Sequence, residues 1–280
     1  MSQINKLKIL NDPIYGFITI PNTLIYDLIQ HPYFQRLRRI SQMGMSYLVY
    51  PGAHHTRFHH ALGCMYIMQK AVQTLKFKGV EISEDEENAL YVAILLHDIG
   101  HGPFSHALEN SVVEEVHHEE LSLLFMEQLN AEFEGKLSLA IQVSTGEYHR
   151  KFMLQLISSQ LDMDRMDYLK RDSFYTGVNE GNVNSERLIQ MLNVQDDVLV
   201  MEEKGIYSIE KFLMARRLMY WQAYLHKTSV VAELTLTKIL KRAKELATKG
   251  EVLFGSPFLL FFLNNKIELN QIDKATLDKF

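Results

Sequence analysis

Nine of the twelve histidines fall between positions 54 and 118, a span of 65 residues. A buried imidazole needs hydrogen-bond partners, so this density is unusual for packing alone. The most informative stretch is Leu96-His97-Asp98-Ile99-Gly100-His101-Gly102-Pro103-Phe104-Ser105-His106. It sets a histidine beside an aspartate at the end of an almost wholly apolar run, Ala89–Leu96. A carboxylate buried there is costly unless a cation or hydrogen bonds compensate it, and a metal ion is the economical compensation. A second stretch, Thr56-Arg57-Phe58-His59-His60-Ala61-Leu62-Gly63, puts His60 at the start of an apolar-periodic segment. A third, Leu161–Asp172, interleaves Asp162, Asp164, Arg165, Asp167, Lys170, Arg171 and Asp172 with Leu, Met and Tyr. Each has a bland reading when taken alone. Asp98 is then a solvated helix end, His97 a satisfied core ring and His60 a cap. The third stretch becomes a solvated helix face laced with i,i+4 pairs such as Asp167 with Arg171. Together, the three stretches carry more than their separate readings, in the order His60, His97-Asp98, Asp164.

Composition bounds what such a site can serve. The 280 residues are 47% hydrophobic and 22% charged, enough apolar material for a real core. No apolar run reaches the roughly 18 residues needed to cross a bilayer, and Met1–Lys6 carries no apolar leader. Cys64 is the only cysteine, which fits a reducing cytoplasm. A net charge of −5 weighs against a nucleic-acid-binding role.

The elements that must position these residues read as mostly α with two small β-hairpins. Leu7–Ile20 reads as a hairpin around the turn Asn11-Asp12-Pro13-Ile14-Tyr15-Gly16. Asn22 or Thr23 caps a helix to Gln30, and Pro32 leads into a second one, Tyr33–Met43. Apolar spacing predicts a helix over 60–77, and Ser83 with Glu86 forms a capping box for a central helix to about His97. Further helices are expected at 117–131, 150–159, 161–171 and 186–193. A hairpin pairing Val198–Val200 with Ile206–Ser208 around Lys204-Gly205 comes next, then one long helix at about 209–248. Residues 1–250 read as one domain. Residues 251–280, with the apolar patch Phe258–Leu263, read as the start of a C-terminal lobe or an oligomerisation segment.

Taken in order, these motifs resemble the HD-domain metal-dependent phosphohydrolases, and more closely their deoxynucleoside triphosphate triphosphohydrolase branch. The resemblance spans roughly residues 9–230. It includes Asn11–Gly16, Phe34-Gln35-Arg36-Leu37-Arg38, Gln42-Met43-Gly44, Pro51-Gly52-Ala53, Thr56–Gly63, His97–His106, Asp164–Asp172 and Tyr224-Leu225-His226-Lys227. It implies an HD-domain helical fold in which His60, His97, Asp98 and Asp164 hold a divalent ion (Mn, Fe, Mg, Ni or Zn). It implies His106 as general acid, with His101 and His118 touching the α-phosphate. Arg57, Arg165 and Lys227 then contact phosphate, and Arg216 could add to them. Tyr168 and Asp172 face the sugar, and Gln42 and Tyr224 touch sugar or base. The expected reaction is attack of a metal-activated water on the α-phosphorus of a dNTP, releasing a deoxynucleoside and inorganic triphosphate. The expected assembly is a homo-oligomer, dimer or tetramer. One departure stands out: His31 and Gln30 precede Pro32, where regulated members carry a carboxylate that reads an activator guanine. The same activation is therefore not expected. Two rival readings remain: an HD hydrolase acting on a nucleoside monophosphate or cyclic nucleotide, and a non-catalytic module that binds nucleotide or nucleic acid.

Overall fold

A computed structural model of the chain describes residues 8–104, 106–109, 111–113 and 116–280, without the side chain of His106. The first element is a hairpin because Asp12 folds the turn: its Oδ1 accepts from the amides of Ile14 (2.9 Å) and Tyr15 (3.0 Å), and Gly16 takes a φ of +74°. Strands β1 (Ile9–Asp12) and β2 (Gly16–Thr19) pair antiparallel, with Ile9 opposite Thr19. Asn22 caps α1 (Thr23–Gln30) by accepting from the Ile25 amide at 2.9 Å. The expected helix to Met43 stops early. A single turn, α2 (Pro32–Gln35), tightens into a 3-10 turn at Arg36–Arg39 and ends. The cause is competition for backbone groups: Ile40 accepts from the Arg57 amide and the Gln42 amide donates to His55, so this segment bonds across to 55–57 instead of back along a helix.

Helices α3 (Arg57–Phe77) and α4 (Glu84–Leu96) follow, the latter with the anticipated Ser83–Glu86 capping box. Every residue from Ala89 to Leu96 is buried, so α4 is the central helix the sequence requires. After it come α5 (His106–Glu109), α6 (His118–Glu132), α7 (Ser138–Thr145, not anticipated), α8 (Lys151–Ile157), α9 (Met163–Thr176) and α10 (Ser185–Gln190). Helix α4 packs on α3 and α7, and α3 packs on α9, which brings the start of α3, the end of α4 and the start of α9 to one place.

The second hairpin is shifted from its expected position. Strand β3 (Leu192–Gln195) pairs with β4 (Val198–Met201) around Asp196 and Asp197, which adopt φ of 51° and 61°. Such left-handed pairs make the tight turns that suit twisted strands, and Asp tolerates them. Ile206–Ser208 instead opens a helix, α11 (Ile206–Met219). The long helix expected at 209–248 is broken. A π-helical turn at Tyr220–Tyr224 leads to an extended His226, whose ring Nδ1 accepts from Thr228 N and starts α12 (Lys227–Thr248). The tail forms α13 (Pro257–Asn264) and α14 (Lys274–Leu277). Phe262 and Leu263 pack with Val112, Val113 and Leu121 in a small second core, while Leu277 joins the main one. No helix among the described residues is long and apolar enough to cross a membrane.

Candidate metal centre and adjoining cleft

Three helix ends bring His60, His97 and Asp164 together, with ligand atoms of these residues and of Cys64 all within 4.8 Å of one another, and Asp98 lies beside them. His60 lies in the first turn of α3 and is 0% exposed. His97 and Asp98 directly follow α4. Asp164 lies in the first turn of α9, where Asp162 caps the helix by accepting from the Arg165 amide at 2.7 Å. His60 Nε2 is 3.0 Å from Asp164 Oδ1 and 3.7 Å from Asp98 Oδ2. His97 Nε2 is 3.5 Å from Asp98 Oδ1 and 3.6 Å from Asp164 Oδ1, and it finds no hydrogen-bond partner among the described residues.

The other nitrogen of each ring fixes what these atoms can do. His97 Nδ1 faces the Ile94 carbonyl at 2.7 Å, and His60 Nδ1 faces Asp167 Oδ2 at 2.8 Å. Both partners only accept, so both Nδ1 atoms carry the proton and donate it. In the neutral rings each Nε2 then presents a lone pair to carboxylate oxygens. Lone pairs converging on lone pairs repel unless a cation lies among them, so the donor set fits a divalent ion. Electrostatics agree. Burial pulls the His60 imidazole down, but contacts with the Asp164 and Asp167 carboxylates and the Cys64 sulfur outweigh it and hold it well above its ordinary value. His97 is likewise raised against its burial, chiefly by Asp98 and Asp164. Asp98 is held well below the usual carboxylate range, against its burial, by Arg57 and by His97 and His101. The cluster thus calls for positive charge between rings and carboxylates, and a divalent ion supplies it with both rings neutral.

Sequence reasoning missed the support that Cys64, Asp167 and Arg171 give to His60. Cys64 lies one turn along α3, its Sγ 3.5 Å from His60 Nδ1; burial pushes the thiol far up, so it packs against the ring as a neutral group. Asp167 and Arg171 do pair at i,i+4, with Nε and Nη2 of Arg171 each donating at 2.9 Å, but this is no solvated face: both residues are 0% exposed. The remaining Nη1 donates to Asp12 Oδ2 at 2.8 Å. The only early sign of this packing was Gly63 inside a helix. A Cβ there would collide with Asp167 Oδ1 and Arg171 Nη2, so any larger residue would have to displace that buried pair.

The expected phosphate and sugar residues separate into two groups. His101 and His118 stack with ring centroids 3.8 Å apart, His101 Nε2 lies 3.4 Å from Asp98 Oδ1, and His118 Nδ1 meets Glu109 at 2.8 Å. Burial, reinforced by Arg57, pushes His101 down to about 3, so its ring is neutral at neutral pH. The imidazole of His106 lies outside the described residues. Arg57 donates to Asp98 and lines a cleft of about 260 Å³ together with Gln42, Tyr168, Asp172, Tyr224 and Glu233. Asp172 is held on both oxygens, by His55 Nε2 at 2.6 Å and by the Tyr224 hydroxyl at 2.8 Å. Gln42 Oε1 is buried with no partner among the described residues. Arg165, Lys227 and Arg216 do not line this cleft: Arg165 donates to Asp162, Arg216 donates to Gln160 at 3.0 Å, and Lys227 is exposed at the start of α12. Glu233, from α12, is a cleft carboxylate that the sequence motifs did not signal.

Residues 57–172 match the HD domain family and residues 183–253 match the HD associated region. The crystal structure of a phosphohydrolase from Bacteroides thetaiotaomicron VPI-5482 superposes with a TM-score of 0.95 at 58% identity, covering 98% of this chain and 68% of that one. An uncharacterized protein of Bacillus subtilis (strain 168), YwfO, is 40% identical over 91% of this chain and 60% of its own length. The deoxynucleoside triphosphate triphosphohydrolase SAMHD1 of Homo sapiens is 28% identical over 86% of this chain, which spans 45% of that enzyme. Shared fold, shared sequence and a cation site built from the ends of α3, α4 and α9 place the chain in one family: it belongs to the HD-domain phosphohydrolases.

Proposed function

We propose that this phosphohydrolase cleaves dNTPs into deoxynucleoside and inorganic triphosphate. The observation that carries the reading is the cleft that runs from Arg57, beside Asp98, to a sugar-sized wall of Tyr168, Asp172, Tyr224 and Gln42. A divalent ion held by His60, His97, Asp98 and Asp164 would supply Lewis acidity and lower the pKa of a bound water. The protein groups do the rest. Arg57 is suited to bidentate contact with phosphate oxygens at the mouth of the site. The stacked His101 and His118 present ring nitrogens to the α-phosphate. As water adds to phosphorus and the bond to the 5′-oxygen breaks, His106 gives its proton to that oxygen. Asp172 is oriented by His55 and Tyr224 and keeps a lone pair on each oxygen for the 3′-hydroxyl. The Tyr168 ring, packed under C2′, rejects a ribose 2′-hydroxyl. Arg165 and Lys227 add phosphate contacts once Arg165 leaves Asp162 and Lys227 folds inward from solvent.

A dNTP, NTP and dNMP panel with several divalent ions, read by chromatography, tests this. Triphosphate as product, lost on chelation and in Asp98→Ala, is the expected result. Monophosphate or pyrophosphate as product, or full turnover in Asp98→Ala, overturns it. We further propose a cytoplasmic homo-oligomer, dimer or tetramer, with residues 1–250 as the catalytic unit and 251–280 opening a C-terminal lobe. The exposed Trp221, Val231, Leu234 and Ile239 support the assembly. Sedimentation as a monomer with and without dNTP would remove it.

A further inference from the structure

The turn Asn11–Gly16 reaches neither the ion site nor the cleft lining, yet it is tied to a ligand by an unbroken buried line. Asp12 Oδ1 takes the Ile14 and Tyr15 amides, leaving Oδ2 to accept from Arg171 Nη1 at 2.8 Å. The same guanidinium grips both oxygens of Asp167 at 2.9 Å, and Asp167 Oδ2 holds His60 Nδ1 at 2.8 Å. Asp12 is 5% exposed and the other three residues are fully buried. Tyr15, from the turn, lies against Arg171 with its ring centroid 5.7 Å from Cζ, and stacks on Tyr66 of α3 at 4.9 Å.

Charge gives this line a direction. Two carboxylates and one guanidinium leave one buried negative charge when the His60 ring is neutral. That charge is compensated by a cation at Nε2, the ring atom facing the ion site. The geometry is demanding as well. Arg171 spreads its three contacts with two carboxylates over Nε, Nη1 and Nη2, a fixed planar fork that an ammonium, with all its donors on one nitrogen, does not reproduce.

We infer that Asp12, Arg171 and Asp167 are positioning residues, and that docking of the β1–β2 hairpin and occupancy of the ion site are thermodynamically coupled. Coupling of this kind is reciprocal: the ion holds the hairpin down, and the docked hairpin tightens the ion. The inference rests on the ion site and not on the nucleotide reading, so the two fail separately.

The full chain is titrated with Mn²⁺ and with Zn²⁺ against a competing chelator, and amide hydrogen exchange is followed with and without each ion. Either ion should slow exchange in Ile9–Thr19. Asp12→Asn should weaken binding about 10-fold, although it touches no ligand, and Asp167→Asn by up to about 100-fold. Arg171→Lys should behave like Asp12→Asn despite keeping its charge. Exchange in the hairpin that ignores a bound ion, or an Asp12→Asn affinity within twofold of the parent, overturns the coupling. A hairpin with a purely structural role would give both of those results. Should Asp12→Asn fail to fold, the exchange measurement on the parent protein decides alone. A parent chain that binds neither ion overturns the coupling and the ion site together, whatever dNTP turnover shows.

Discussion

Helix α4 turns nine of its 13 residues inward, whereas α12, at 22 residues, buries only Ser229 and Ala247. Both border the candidate site: His97-Asp98 directly follows α4, and α12 sends Glu233 into the cleft. They do so on different terms. The end of α4 is immobilised by apolar packing on all sides, as ligand convergence requires, because a ring that swings cannot hold an ion. Helix α12 lies along the surface with Val231, Leu234 and Ile239 more than half exposed, so its position depends on what else covers it. One helix is fixed by the fold, and the other remains open to adjustment from outside.

The largest effect should come from the end of α4. His97→Ala should abolish turnover and ion retention while leaving the melting temperature in chelator near that of the parent, as calorimetry with and without ion will read. Next, Leu95→Ala should cost about 3 kcal/mol in urea unfolding, because its neighbours cannot collapse onto the hole. The matching change on α12, Leu234→Ala, should cost under about 0.5 kcal/mol in dilute solution. A cost for Leu234→Ala that grows with protein concentration would break the contrast and reveal a second copy on that face.

A third prediction concerns the start of α4. Burial would raise the Glu86 carboxyl from its ordinary 4.5, but the Ser83 amide, Arg150 and Tyr148 outweigh it and hold it at about 2. The unfolded chain therefore protonates first on acidification. The stabilisation is complete above pH 4.5 and disappears as pH falls through 2. Glu86→Gln should be less stable by on the order of 2 kcal/mol at pH 7, and the two proteins should converge near pH 2. A small effect again belongs to α12: His226→Ala removes a cap and should cost about 1 kcal/mol or less.

What the sequence made legible follows the same divide. The Ser83–Glu86 box and the all-apolar run of α4 could be read because their signals are local, or repeat within a helix turn. The resemblance to a known family supplied the register between distant stretches. The Asp167–Arg171 pairing could be read but its burial could not, because a charged i,i+4 pair looks the same whether solvent or Asp12 covers it. The break at His226 was hidden because apolar periodicity continues across it. Strand β3 was missed because the turn chemistry of Asp196-Asp197 is weaker than that of Lys204-Gly205, which the fold uses as a short 3-10 lead into α11.

Gly63 carries a consequence for how this protein can vary. A glycine inside a helix is about 1 kcal/mol worse than alanine there, so a search for stabilising substitutions that judged helices one at a time would pick this position first. The same substitution would push a methyl group into the Asp167–Arg171 pair and unseat it. Libraries selected for heat resistance and libraries selected for cofactor retention should therefore disagree most sharply at this codon.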